Sequence, residues 1–187
     1  MAYAAWSVVF GEQPSASKWN ILGSNDAAFA DGSGISALAT NVTAVSNPYK
    51  FFAYSSASQS SPSGAAFKIA LKSELYDTNN NFDSTTNYRY TVPVTGFYHV
   101  TASGTITNGA GYSMDTWLYK NGSSLLNAHY VNGGSVADTT AVVSALLSLT
   151  AADYLEMFVA TGFGAGASLP FGSPYSNYMS GYLVSRT

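Results

Sequence analysis

Residues 87–103 read NYRYTVPVTGFYHVTAS. Two runs rich in Tyr and Val flank a proline and then a glycine. Pro93 has no N–H to give to a ladder and suits the end of a strand. Gly96 permits a turn conformation or a close backbone approach. Beyond it, Tyr98, Val100 and Ala102 alternate with Phe97, His99 and Thr101. That is the period of two of a strand with two unlike faces.

The same grammar extends outward from this stretch. KFFAYSSAS at 50–58 alternates weakly. AFKIALKSELYD at 66–77 reads as one strand with Phe67, Ile69 and Leu71 on one side and Lys68 and Lys72 on the other. TNNNFDSTTN at 78–87 is turn-rich. Asn121-Gly122, between two strand-like runs within 112–131, is a strong hairpin signal. AVVSALLSL at 141–149 has the Ala and Leu of a helix. Its length and turn-rich surroundings read instead as a buried strand. A second strand follows after Thr150 to Asp153, and a last one lies within 173–187. Short strands with turn signals every 8–12 residues predict an all-β sandwich or jelly roll.

Residues 1–46 differ. Trp6, Phe10, Trp19, Ile21, Leu22 and Phe29 are spread through short polar and Gly-rich runs. A segment this small can hardly bury them against itself. It reads as an attachment element, 1–46, ahead of a head domain, 47–187.

Composition narrows the function classes. Charged residues are only 9% of the 187-residue chain, against roughly 25% in an ordinary soluble domain. With 7 Lys plus Arg and a net charge of −3, no clustered basic surface for nucleic acid is expected. The absence of cysteine excludes disulfides and thiolate metal sites. No apolar run approaches a membrane span. The first residues lack the basic region of a signal peptide.

FDSTTNYRYTVPVTGFYHVTASGTI at 82–106 resembles the centre of the C1q-like domain, of the wider tumour-necrosis-factor-like jelly-roll class. The carrying residues are Asn79 to Asn81, Phe82, Tyr90, Pro93, Gly96 and Tyr98. FFAYSS at 51–56, WLYKNGSSL at 117–125, SALLSLTAADYLEMFV at 144–159 and NYMSGYLV at 177–184 agree in order. The likeness covers about 51–184 and implies a sandwich of about ten antiparallel strands. It also implies a homotrimer, with Tyr98, Val100 and Ala102 turned into the sandwich. Phe97, His99, Trp117, Tyr119, Tyr178 and Tyr182 are the candidates for trimer interface or core. VVFGEQPSASKWNILGSNDAAFADGSGI at 8–35 resembles segments of phage tail-fibre and other virion proteins. Together these imply a bacteriophage virion protein, a fibre, spike or decoration, localised to the virion. It would dock to other virion proteins through 1–46 and present a head for host-surface binding. The alternative is a soluble or secreted bacterial C1q-like protein that binds carbohydrate or a protein ligand.

Little catalytic chemistry is visible, and no enzyme is expected. His99 and His129 read as surface or interface side chains, without metal-ligand spacing. The scattered carboxylates define no cleft. No cofactor is called for, although C1q-like domains can bind calcium. Asp77 and Asp83 are the candidates, with Asp115, Asp138 and Asn79 to Asn81 as further oxygen donors. The competing reading of YDTNNNFDS is a turn whose Asx side chains bond locally. GFGAGASLPFGSPYS at 162–176 is a Gly- and aromatic-rich loop. Phe163, Phe171 and Tyr175 are its candidate contacts to a receptor, and the competing reading is that they anchor the loop to its own sandwich.

Overall fold

A computed structural model describes residues 49–60, 65–107, 113–131, 138–161, 168–169 and 176–187. They belong to one unit, Asn47–Thr187. The strands in chain order are β1 (Lys50–Tyr54), β2 (Gln59–Ser60), β3 (Phe67–Lys68), β4 (Ser73–Asp77), β5 (Phe82–Asp83), β6 (Arg89–Thr91) and β7 (Gly96–Ile106). They continue with β8 (Ser113–Lys120), β9 (Ser123–Val131), β10 (Thr139–Leu149), β11 (Tyr154–Thr161), β12 (Ser168–Leu169) and β13 (Tyr178–Arg186). The first sheet has the order β10-β7-β13-β1-β4. The second runs β5-β6-β11-β8-β9, with β3 also on β11, and β12 pairs with β2. Every pairing is antiparallel. The expected attachment segment, with Trp6, Phe10, Trp19, Ile21, Leu22 and Phe29, lies outside the described residues.

The opening stretch does what its pattern predicts. β6 ends before Pro93, and β7 starts at Gly96. Gly96 serves close approach: a Cβ there would run into the carbonyl of Ser185 on β13. Tyr98, Val100 and Ala102 are fully buried. Gly104, further along β7, lets the sheets close, since a Cβ would stand 2.5 Å from Met114 Cε and 2.6 Å from Thr116 Oγ1.

Aromatic rings bridge the sheets. Phe51 of β1 stacks on Tyr90 of β6 at 4.0 Å and on Phe82 of β5 at 5.7 Å. Tyr98 meets Tyr90 edge-on at 6.4 Å and donates its hydroxyl to the Val94 carbonyl at 2.7 Å. Burial pushes both phenols up. Ile69, Leu71, Leu118, Leu155 and Met157 complete the centre of the core. Full burial of one such side chain is worth about 1.5–3 kcal/mol.

Asn121 and Gly122 have φ of 52° and 78°, the two left-handed positions of a type I′ hairpin turn. A neighbouring turn locks onto it. Tyr154 N donates to Asn121 Oδ1 at 2.8 Å, and Asn121 Nδ2 donates to Asp153 Oδ1 at 2.7 Å. Asp153 Oδ2 accepts from Thr150 N at 2.8 Å and from Lys120 at 2.7 Å.

Two expectations change. Residues 66–77 are not one strand: β3 lies in the second sheet and β4 in the first. The chain crosses between the sheets through Ile69 and Leu71, both wholly buried. The alternation of apolar and Lys residues came from that crossing, where side chains drop alternately into the core. Residues 141–149 do form a strand, but one of its faces is open. β10 is an edge strand, and Val142, Ser144, Leu146 and Ser148 are exposed.

Candidate functional site

The outer face of the first sheet gathers four of the six residues expected at an interface. Along one row, Leu146 of β10 stands opposite His99 of β7, His99 opposite Tyr182 of β13, and Tyr182 opposite Lys50 of β1. The adjacent row runs Ser144, Thr101, Ser180 and Phe52. Phe97 lies one row beyond His99, and Tyr178 lies at the opposite end, stacked on Phe52 at 4.9 Å. Leu146 is 58% exposed, Val184 52%, Val142 49% and Tyr182 45%. No Asp, Glu, Lys or Arg occurs in 96–106, 139–149 or 178–184. The polar groups on this face bond to one another. Ser144 Oγ lies 2.9 Å from Thr101 Oγ1 and 3.2 Å from His99 Nε2. The His99 ring is 5.4 Å from that of Tyr182.

The outer face of the second sheet holds the other two residues, Trp117 and Tyr119. Tyr119 stacks on Phe158 at 4.1 Å, and Trp117 meets Tyr119 edge-on at 6.4 Å. Charges surround these rings. Arg89 lies 4.3 Å over the Tyr154 ring. Lys68 pairs with the buried Glu156, and His129 Nδ1 is 2.8 Å from Asp115 Oδ1. The edge next to this face, β9, exposes Leu125, Tyr130 and Val131.

Asp77 and Asp83 serve turns. Asp77 accepts from the backbone N–H of Asn79 and Phe82 at 3.3 and 2.6 Å. Asp83 accepts from the N–H groups of Thr85, Thr86 and Asn87 and from the Thr85 and Asn87 side chains. The Thr86 N–H in particular, with these other donors, holds its carboxyl well below the usual carboxylate range despite desolvation. Carboxylates engaged in this way have few lone pairs left for a hard cation. Among the described residues, no group of three or more His, Asp or Glu is placed to hold a metal. Phe163, Phe171 and Tyr175 lie outside the described residues.

Sequence reasoning missed the His129–Asp115 pair. Counting outward from the Asn121-Gly122 turn sets Asp115 opposite Ala128. A bulge at Leu118/Tyr119 advances the register by one residue and brings His129 there.

No protein-family model and no curated protein matches the chain. Solved structures do. The globular domain of zebrafish complement 1qA protein is 16% identical, with a TM-score of 0.56 over 74% of this chain and 98% of that one. Eiger TNF from S. frugiperda is 11% identical, with a TM-score of 0.57 over 74% and 94%. Murine APRIL is 12% identical, with a TM-score of 0.57 over 72% and 98%. The fold is therefore the C1q/TNF-like jelly roll.

Proposed function

We propose that this chain is a non-enzymatic recognition protein whose jelly roll assembles as a homotrimer and binds a carbohydrate or protein ligand. The observation that carries it is the first sheet's outer face. Residues 96–106, 139–149 and 178–184 of three adjacent strands carry no Asp, Glu, Lys or Arg and leave Leu146, Val142, Tyr182 and Phe97 open to water. Large apolar side chains gathered on one sheet face mark a surface that a partner covers. A closed ring of three needs two different patches that fit each other. The apolar edge at β9, with Leu125, Tyr130 and Val131, offers the second. Sedimentation equilibrium of the full chain tests this. A species near three chain masses at micromolar concentration is expected, and a single-chain mass would overturn it. Ligand binding is tested on a glycan array and against candidate surface proteins. Phe163→Ser with Tyr175→Ser is expected to lower binding at unchanged melting temperature.

A second reading places the protein in a bacteriophage virion, attached through residues 1–46. Its support is the fibre-like sequence of 8–35 and the apolar Trp6, Phe10, Trp19, Ile21, Leu22 and Phe29. Mass spectrometry of purified particles tests it. The reading requires the chain to be present at stoichiometric level and to be lost when 1–46 is deleted.

A further inference from the structure

We propose that Asn121 is a site of spontaneous deamidation, held in check by the bonds that lock its turn to the neighbouring one, and that its conversion to a carboxylate opens that lock. Asn121 and Gly122 are exposed at the tip of the β8–β9 hairpin. The reaction needs only water. Gly122 N attacks Asn121 Cγ, and a five-membered imide forms. The Cγ–Nδ2 bond breaks, and Nδ2 leaves as ammonia with the proton that Gly122 N gives up. Water then opens the imide at one of its two carbonyls. One opening leaves an aspartate at 121. The other leaves an iso-aspartate, with the chain running through Cγ. Glycine at 122 has no Cβ to crowd the attack, and Asn is among the thermolabile residues.

The fold works against the first step. Ring closure requires the side chain and the turn to distort until Gly122 N reaches bonding distance of Cγ. Both ends of the Asn121 amide are held by the other turn. Tyr154 N donates to Oδ1 at 2.8 Å, and Nδ2 donates to Asp153 Oδ1 at 2.7 Å. The backbone is held as well, with Asn121 N donating to the Tyr154 carbonyl at 3.0 Å. Attack must release side-chain bonds, and one of them is to a carboxylate, the stronger kind. The product is held no longer. The donor Nδ2 becomes a carboxylate oxygen that faces Asp153 Oδ1. Lys120, 2.7 Å from Asp153 Oδ2, is then shared between two like charges that repel. An iso-aspartate also adds a backbone methylene to a turn built on φ of 52° and 78°. The change is irreversible and runs fastest in opened chains, so it marks chains that have once unfolded.

The test is incubation of the full chain at pH 8.5 and 37 °C, folded and in guanidinium chloride that unfolds it. Peptide mass spectrometry follows the conversion of amide to acid. The folded rate at Asn121 is expected to be at least about tenfold below the unfolded rate, and equal rates overturn the protection. The same dipeptide stands at 108–109 and 132–133, so all three sites are expected to react alike in guanidinium. A slow Asn121 there traces its slowness to local sequence and overturns the protection too. Asp153→Ala keeps the Asn-Gly turn and removes one hold. It is expected to raise the folded rate at Asn121 at least about threefold; an unchanged rate overturns the lock as the cause. Should it fold poorly, Asp153→Asn replaces it, because it takes the charge from the same bond, and the same outcomes apply. Asn121→Asp makes one product directly. It is expected to melt below the unmodified chain at pH 7. A carboxylate that repels Asp153 has a raised folded-state pKa, so its penalty is full above that value and fades as pH falls through the unfolded one. The gap in melting temperature is thus expected to narrow below about pH 4. Equal melting at pH 7 overturns the opening of the lock.

Discussion

The two outer faces of this sandwich are both rich in rings and aliphatics, yet they treat charge in opposite ways. On the second sheet, each cluster of rings has charged neighbours. Arg89 covers Tyr154, Lys68 holds Glu156, and Asp115 holds His129. On the first sheet, residues 96–106, 139–149 and 178–184 of three adjacent strands carry only hydroxyls, one imidazole and apolar groups. A face meant for water keeps its ions, because water solvates them cheaply. A face meant for another protein surface sheds them, because each buried unpaired charge is costly. On the proposed trimer reading, the first face meets another chain, and the second, away from the β9 edge, is left to solvent or a small ligand.

The largest effect that could break this contrast is a charge placed on the first face. Leu146→Lys is expected to weaken assembly at least about a hundredfold, measured by sedimentation. The residue's exposure in the single chain predicts little change in that chain's own unfolding. Next is the ion pair on the second face. Glu156→Ala removes a buried carboxylate and strands Lys68, which is expected to cost about 1–3 kcal/mol in denaturant unfolding. Assembly should be unaffected. A third test is acid. Asp153 is desolvated, which raises its pKa, yet Lys120, Thr150 N–H and Asn121 bring it below the ordinary value. A depressed carboxylate stabilises the fold above the unfolded-state pKa, and that stabilisation drains away as pH falls through the folded-state value. Asp153→Asn is expected to lose stability near neutrality and to flatten the acid limb below about pH 4, read by thermal melts across pH. The smallest effect expected is from Thr86→Lys, exposed in the turn between β5 and β6 at the end of the second sheet opposite β9. It should change stability by less than about 0.5 kcal/mol and leave the assembled mass unchanged. If it dissociates the protein as Leu146→Lys does, the contrast between the faces has no meaning.

What could be read from the chain alone depended on whether local chemistry or distant pairing decided the outcome. The Asn121-Gly122 turn was legible because few residues accept two consecutive positive φ angles. Alternation around Pro93 and Gly96 put Tyr98, Val100 and Ala102 on one face, and the C1q-like resemblance turned that face inward, where the three are buried. Ile69 and Leu71 misled because a crossing between sheets can mimic the alternation of a strand. The openness of β10 was hidden because a run such as AVVSALLSL reads the same whether water or a partner covers its second face. The sequence put six interface-or-core candidates together without sorting them; Phe97, His99, Tyr178 and Tyr182 share one sheet face. Trp117 and Tyr119 have the same composition but belong to β8, and only the pairing of β8 with β11 separates them from the rest. His129 and Asp115 were invisible as a pair because one extra residue in a bulge shifts the register between them.

The place of β13 in the first sheet bears on how the molecule is made. The last strand in chain order lies between β7 and β1, opposite Val100 and Ala102 on one side and Phe51 to Tyr54 on the other. During synthesis, β7 and β10 can pair as soon as both have left the ribosome. β1 and β4 can pair earlier still. The two halves cannot join until residues 178–186 emerge and slide between them. Until then each half presents an unpaired strand edge and an unfilled core, the condition in which nascent chains aggregate. A release or stall upstream of Tyr178 thus leaves two half-sheets with nothing between them, and closing the first sheet waits on translation of residues 178–186.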